Sequence, residues 1–264
     1  MRIAGLYRYP VKGLSPEPMA RVALEAGGHV PGDRLFAIEN GPSGFDPAAP
    51  AHKPKISYLV LMRHEALARL QTRYDAQTGV LAIVENGIET ARGDLATQEG
   101  RAEIVGFLAA FLGERALRGP PQLLTAPDGY RFLDTPTGYV SIVSRASVAA
   151  LEDRVGMPVD PMRFRANILV EDLAPWAEHD MVGRVLAAPS GLRLRVTSRI
   201  TRCAATDVDP ATGIRDLSIP RTLMQSYGHI DCGVYAEVLE AGALSVGERL
   251  APTDELEART VMPF

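Results

Sequence analysis

Apolar residues in this chain fall mostly in short runs broken by glycine, proline or charge. Ile3 to Arg8, Met19 to Leu24, Arg34 to Glu39 and Ser57 to Met62 read as strands. Gly27-Gly28, Pro31-Gly32 and Gly41-Pro42 punctuate them. Four prolines between Pro42 and Pro54 mark a surface loop. Leu67 and Leu70 give Glu65 to Tyr74 a helical spacing, and Val80 to Glu85 returns to strand. The clearest helix is Thr97 to Leu112, where Ile104, Phe107, Leu108 and Phe111 share a face that packs into the core and Gly113 supplies a stop. A second helix starts at the N-cap candidate Ser144, carries Val148, Leu151 and Val155, and ends at Gly156 and Pro158. Beyond it, Phe164 to Val170, Leu192 to Val196, Gly233 to Leu239 and Ser245 to Leu250 are strand-like, with a short helix over Pro220 to Gln225. The tail after Pro252 has no clear pattern.

Many short strands with few helices predict a β-rich α+β fold, a barrel or sandwich with helices attached, and not a doubly wound sheet. The expected boundary lies between Gly119-Pro120-Pro121 and Asp134, dividing the chain into 1–125 and 126–264. The 264 residues are 46% hydrophobic and 23% charged, with a formal net charge of −4. That balance argues against a nucleic-acid partner, which needs a basic surface, but leaves room for a basic pocket. Arg8, Pro10 and Lys12 break any apolar leader, and no run reaches the length of a membrane helix. A soluble cytoplasmic protein is therefore expected. The only two cysteines, Cys203 and Cys232, are too few for a four-cysteine zinc site or an all-cysteine iron–sulfur cluster, and they read as free thiols.

No common catalytic signature is present, and the five histidines show no metal-ligand spacing. What remains is a set of basic and polar residues in turn-like places: Tyr9-Pro10-Val11-Lys12-Gly13, Gly32-Asp33-Arg34, Arg163-Phe164-Arg165-Ala166-Asn167 and Thr201-Arg202-Cys203. Any one of them is compatible with plain surface charge. Together they offer the donors a phosphate and a polar ring system require. Cys203 follows Arg202 directly, and a neighbouring cation favours the thiolate that ligates metals or attacks electrophiles. A lone cysteine in an apolar strand is equally compatible with an inert core residue.

The string from Thr201-Arg202-Cys203 to Asp209-Pro210-Ala211-Thr212-Gly213 resembles the signature of the MOSC family, the molybdenum cofactor sulfurase C-terminal domain. Arg163 to Ile168 and Cys232-Gly233-Val234-Tyr235 do so as well. The opening Tyr9 to Gly13 with Gly32-Asp33-Arg34 is similar to the β-barrel domain that precedes MOSC domains. Within the family the chain looks most like the amidoxime-reducing branch and its bacterial counterparts. The resemblance implies an N-terminal β-barrel-like domain followed by a MOSC β-barrel domain with attached helices. It implies a molybdenum cofactor, a pterin whose dithiolene holds the metal, with Cys203 as both metal ligand and catalytic residue. Lys12, Gly13, Arg34, Arg165 and Arg202 would bind its phosphate and pterin. Asn167, Thr201, Tyr235, Thr137 and Gly138 would add further contacts. The implied activity is reduction of N-hydroxylated or related N-oxide and S-oxide small molecules. The alternative is a molybdenum cofactor or sulfur carrier using Cys203. Two departures stand out. Gly138 falls where a hydroxyl residue is usual, and Asp207 replaces a small hydroxyl residue and reads as a solvated turn position able to repel an anionic substrate. Asp209 to Gly213 reads as a turn, and Cys232 as core. With no cysteines for a ferredoxin domain in these residues, electrons would come from a separate ferredoxin-, flavoprotein- or cytochrome-type protein; no membrane partner is implied.

Overall fold

The computed structural model describes residues 1–137 and 139–256. The chain opens with β1 (Arg2–Arg8), β2 (Glu17–Met19), β3 (Arg21–Leu24) and β4 (Phe36–Asn40). A meander of β5 (Leu70–Asp75), β6 (Val80–Glu85) and β7 (Ile88–Asp94) leads to helix α1 (Gln98–Leu112) and β8 (Pro121–Thr125). Next come β9 (Val140–Ser144), α2 (Arg145–Val155), β10 (Ile168–Glu171), β11 (Arg184–Ala187) and β12 (Arg193–Thr201). The last described elements are α3 (Ile219–Tyr227), β13 (Asp231–Glu240), β14 (Gly242–Ser245) and β15 (Ala251–Leu256). The result is the β-rich α+β fold that the pattern of short strands predicts.

The main sheet has eight strands in the order β15-β11-β12-β13-β9-β10-β1-β2. All its pairings are antiparallel except β9 with β10. That parallel pair is joined through α2, as parallel strands require. Strands from both ends of the sequence share this sheet: β1 lies between β10 and β2, and β3 pairs with β14. Side-chain alternation divides the packing into two layers. Ile142, Ile168 and Val170 join the inner core with Ile3 and Leu6, while Val143 and Leu169 face α2 and α3. A register shift after Ile3 puts Ile3 and Leu6, three positions apart, on the same face. At Gly233 the backbone has φ +80°, and the pattern switches there, from Cys232 on the helix side to Val234 on the inner side. A second core gathers Leu70, Leu81 and Ile83 of the meander under Ile104 and Leu108 of α1.

Helix ends follow the capping residues. Thr97 accepts a bond from Gly100 N at 3.0 Å, and Ser144 one from Ala146 N at 3.2 Å. Gly156 closes α2 in the left-handed conformation.

Several expectations change. Glu65 to Tyr74 is not a helix but a single 3-10 turn, Glu65–Arg69, running into β5. Leu70, Thr72 and Tyr74 alternate inward there, and Ser15 Oγ accepts from Thr72 N at 2.7 Å, fixing the extended backbone. Ser57 to Met62 forms no strand beyond one bridge between Tyr58 and Glu39. In Phe164 to Val170 the first half is a 3-10 turn, Pro161–Phe164, capped by Asp160, and only β10 is strand. Ser245 to Leu250 is the turn between β14 and β15. No helix among the described residues is long and apolar enough to cross a membrane.

Candidate cofactor site

A cavity of about 260 Å³ opens where the two ends of the chain meet. Its walls include Lys12, Gly13, Arg34, Thr137, Arg165, Asn167, Thr201, Arg202, Cys203 and Tyr235, residues the sequence scatters over more than two hundred positions. Gly138, also expected here, lies outside the described residues. Among the described residues, seven cationic side chains and one carboxylate, Asp134, line the space. A basic pocket on a net acidic chain suits an anion.

Each cation is fixed by a different local device. Gly13 turns the chain after β1 with φ +86°, and a Cβ there would lie 2.3 Å from Leu59 O. That close approach requires glycine and carries Lys12 inward, where it is 3% exposed. Its ammonium donates to Phe132 O at 3.0 Å and pairs with Asp134. Burial pushes the Lys12 pKa down while Asp134 works against it. Desolvation acts to raise the Asp134 pKa, but Lys12 outweighs it and holds the carboxyl well below the usual range.

Arg34 and Arg165 are both left-handed, with φ of 48° and 52°. Such backbone is costly for a non-glycine residue and clusters at ligand clamps. Their guanidinium carbons lie 4.8 and 4.4 Å from the centroid of the Tyr9 ring. Arg34 pairs with Asp33 and donates to Arg165 O at 3.2 Å, and Asp33 accepts from Tyr9 N at 2.7 Å. Burial lowers the Arg165 pKa to about 10 and raises that of Tyr9 to about 12.

Arg202 turns away from the neighbouring cysteine. Its Nε donates to Cys232 O at 2.7 Å and its Nη1 to Phe164 O at 2.8 Å, with the group 5.2 Å from the Phe164 ring centroid. Nη2 is buried and has no hydrogen-bond partner among the described residues. A buried donor left open on a cavity wall is complementary to an anionic oxygen. Cys203 lies two residues past the end of β12 and caps the 3-10 turn Ala204–Asp207, its carbonyl accepting from Thr206 N at 3.0 Å. Its side chain is half-buried, open to the cavity without being adrift in solvent.

Other predicted residues are committed to the scaffold. Asn167 Oδ1 accepts from Ser141 N and Ser141 Oγ at 3.1 and 2.9 Å, and its Nδ2 donates to Tyr7 O at 3.2 Å. Asn167 thus ties β9, β10 and β1 together beneath the cavity. Thr201 donates to Asp231 at 2.9 Å, and Thr137 sits exposed at the rim. Both terminal nitrogens of Arg163 are engaged elsewhere, pairing bidentately with Asp216 at 2.8 Å and reaching Asp209 at 3.2 Å, while its buried Nε has no hydrogen-bond partner among the described residues. Asp209 also accepts from Ala211 N and Thr212 N, the bonds of a turn. Asp207 is a correction. It is buried, not solvated, and its carboxylate accepts from Ile219 N at 2.7 Å, capping the start of α3. The Cys232 side chain is core, and burial raises its thiol to about 12. Its backbone still serves the site by holding Arg202.

Lys55, Asp134 and Ser141 were missed by sequence reasoning. Lys55 emerges from the proline-rich loop in a 3-10 turn, Lys55–Ser57, and lines the cavity with Cys203; against the effect of burial, Cys203 and Asp134 raise the lysine pKa. Nothing periodic marks these positions; only the KP-rich exit of that loop hints at a cation.

The MOSC domain family profile matches residues 129–251, and the MOSC N-terminal beta barrel domain profile matches residues 1–112. Mitochondrial amidoxime reducing component 2 of Bos taurus is 31% identical over 121 residues, 41% of this chain and 35% of that protein. Mitochondrial amidoxime-reducing component 1 of Mus musculus is 35% identical over 86 residues, 33% of this chain and 24% of that protein. The matches thus span about a third or less of the length of these relatives. The crystal structure of the YuaD protein from Bacillus subtilis aligns with a TM-score of 0.45 at 14% identity, covering 94% of this chain and 93% of its own. The two profile matches, in this order and over these residues, make the chain a member of the MOSC family, with a MOSC N-terminal β-barrel domain ahead of its MOSC domain.

Proposed function

We propose that this cavity holds a molybdenum cofactor and that the protein is a reductase of N-hydroxylated or related N–O and S–O small molecules. The observation that carries the reading is the convergence of an accessible Cys203 thiol with buried Lys12 and half-buried Arg165 and Arg202, the last holding an unpartnered Nη2 toward the cavity. The donor set fits the group. A soft thiolate suits a sulfur-rich metal, and guanidinium forks suit a phosphate. When bound, the cofactor supplies two-electron removal of an oxygen atom from the substrate, with the oxygen leaving as water.

The chain's own contribution is placement. Cys203 offers sulfur from the N-cap of the 3-10 turn that follows β12. Arg202 is held by two backbone carbonyls, so little side-chain freedom remains to lose when an anion arrives. Arg34 and Arg165 brace each other around Tyr9. Lys12 enters already desolvated, so its charge acts in a low-dielectric wall. Val60 and Leu61, both buried, line one side and limit water. Electrons would enter from a redox group outside these residues, which hold no cysteine set for a cluster.

Purified protein is expected to contain about one molybdenum and one pterin per chain, with metal content and reduction of a model amidoxime both lost in Cys203→Ala. Metal-loaded protein that reduces no amidoxime with a flavoprotein, ferredoxin or cytochrome donor would overturn the reductase reading. Transfer of its cofactor to an apo-enzyme would then favour a carrier.

A further inference from the structure

We infer that Lys55 makes the metal end of this cavity selective for substrates carrying a carboxylate on an apolar body. The inference rests on the reading above and extends it to substrate class. Four observations support it.

First, Lys55 reaches the cavity from the N-terminal part of the chain and shares its lining with Cys203, which acts on its charge. Second, several of the other charges nearby are already matched, while Arg202 keeps one open donor. Asp134 is paired with Lys12, Arg34 with Asp33, and Arg163 with Asp216 and Asp209. Asp134 acts on Lys55 only at longer range, and among the described residues no carboxylate pairs with it directly, so no ion pair has to break when an anionic ligand arrives. Third, Asp207, the carboxylate nearest Cys203 in the following sequence, is turned into the scaffold against Ile219 N and does not line the cavity. The negative charge that would have repelled an anion is absent from the site. Fourth, the wall beside Lys55 is apolar, formed by Val60, Leu61, Met62 and Ala205. A cation at the edge of an apolar wall recognises an aryl or alkyl group with an acidic substituent, by one charge-assisted bond and one patch of buried carbon.

The test uses holoprotein with 4-carboxybenzamidoxime and benzamidoxime as paired substrates, with rates normalised to bound molybdenum. Wild type is expected to favour the carboxylate compound in kcat/KM, mostly through KM. Lys55→Gln is expected to cut that preference about tenfold or more, and Lys55→Arg to keep most of it, a loss typical of one charge-assisted bond. Lys55→Glu is expected to reverse the order toward a cationic amidoxime. Binding of the non-reducible 4-carboxybenzamide, followed by calorimetry, is expected to weaken in parallel. A preference that Lys55→Gln leaves in place overturns the inference alone. A proportional loss of molybdenum in Lys55→Gln also overturns it, because Lys55 would then hold the cofactor. Wild type that reduces neither compound overturns the functional reading and this inference with it.

Discussion

His179 sits 4% exposed beside Trp176 and His229, with ring centroids 5.7 and 5.4 Å away, and its Nε2 has no partner among the described residues. Burial, helped by Arg199 and His229, lowers its pKa to about 4 from the ordinary 6.5. The folded protein therefore resists a proton that the unfolded chain accepts. Stability is full above about pH 6.5 and falls as the pH drops towards 4, by about 3 kcal/mol from this residue. The urea midpoint of wild type is expected to fall more steeply between about pH 7 and pH 4.5 than that of His179→Phe. Equal slopes would show that the imidazole is not the cause. At this scale sequence reading succeeded where chemistry is local. Cys203 and its basic neighbours were recognisable as a set because their order in the chain carries the pattern. Whether Asp207 points to solvent or caps α3 depends on where Ile219 lies, and no spacing states that.

The segment after Cys203 is shaped by one buried side chain from another element. Arg163, in the turn before β10, grips Asp209 and Asp216 and also donates to Asp207 O at 3.2 Å. Removing one partner from such a buried cluster leaves two carboxylates uncompensated. Arg163→Met is expected to cost about 3 kcal/mol in urea unfolding, and the 204–216 segment should become more open to proteolysis. A variant within about 0.5 kcal/mol of wild type would show that the ion pairs are solvent-screened. Elements legible in the sequence were those with local signals: Thr97 and Ser144 cap their helices, and Gly156 ends one. The β6–β7 hairpin was legible in principle from Asn86-Gly87, both at positive φ. The Glu65 to Tyr74 misreading arose because Leu67 and Leu70 satisfy a helical period by chance. One is buried by a 3-10 turn and the other by a strand. β9 escaped notice because all five of its residues are buried, so no alternation marks it.

The main sheet joins residues far apart in sequence. Ile3 and Leu6 complete a core whose other members lie mostly beyond residue 140, and β1 covers the open edge of β10. A chain starting at residue 129 would expose that edge and lose those side chains. It is expected to aggregate or stay unfolded, with recovery when residues 1–128 are supplied as a second chain. A soluble, cooperatively unfolding fragment would contradict this. The β-rich α+β class was legible from run lengths alone. The pairing of β1 with β10 and β3 with β14 was not, because long-range strand partners leave no trace in local pattern.

That the cavity is walled by both Lys12 and Tyr235 bears on how the protein is made. A ribosome adding roughly 5–20 residues per second needs about 10 to 45 s to travel from one to the other. For most of that interval β1 lacks its β10 neighbour, Ile168–Glu171, and the pocket is incomplete until Tyr235 arrives. Any group seated there must be taken up late, by a chain that has waited with its first strand paired at most to β2. Cells short of chaperone capacity should therefore lose this protein before they run short of whatever fills it.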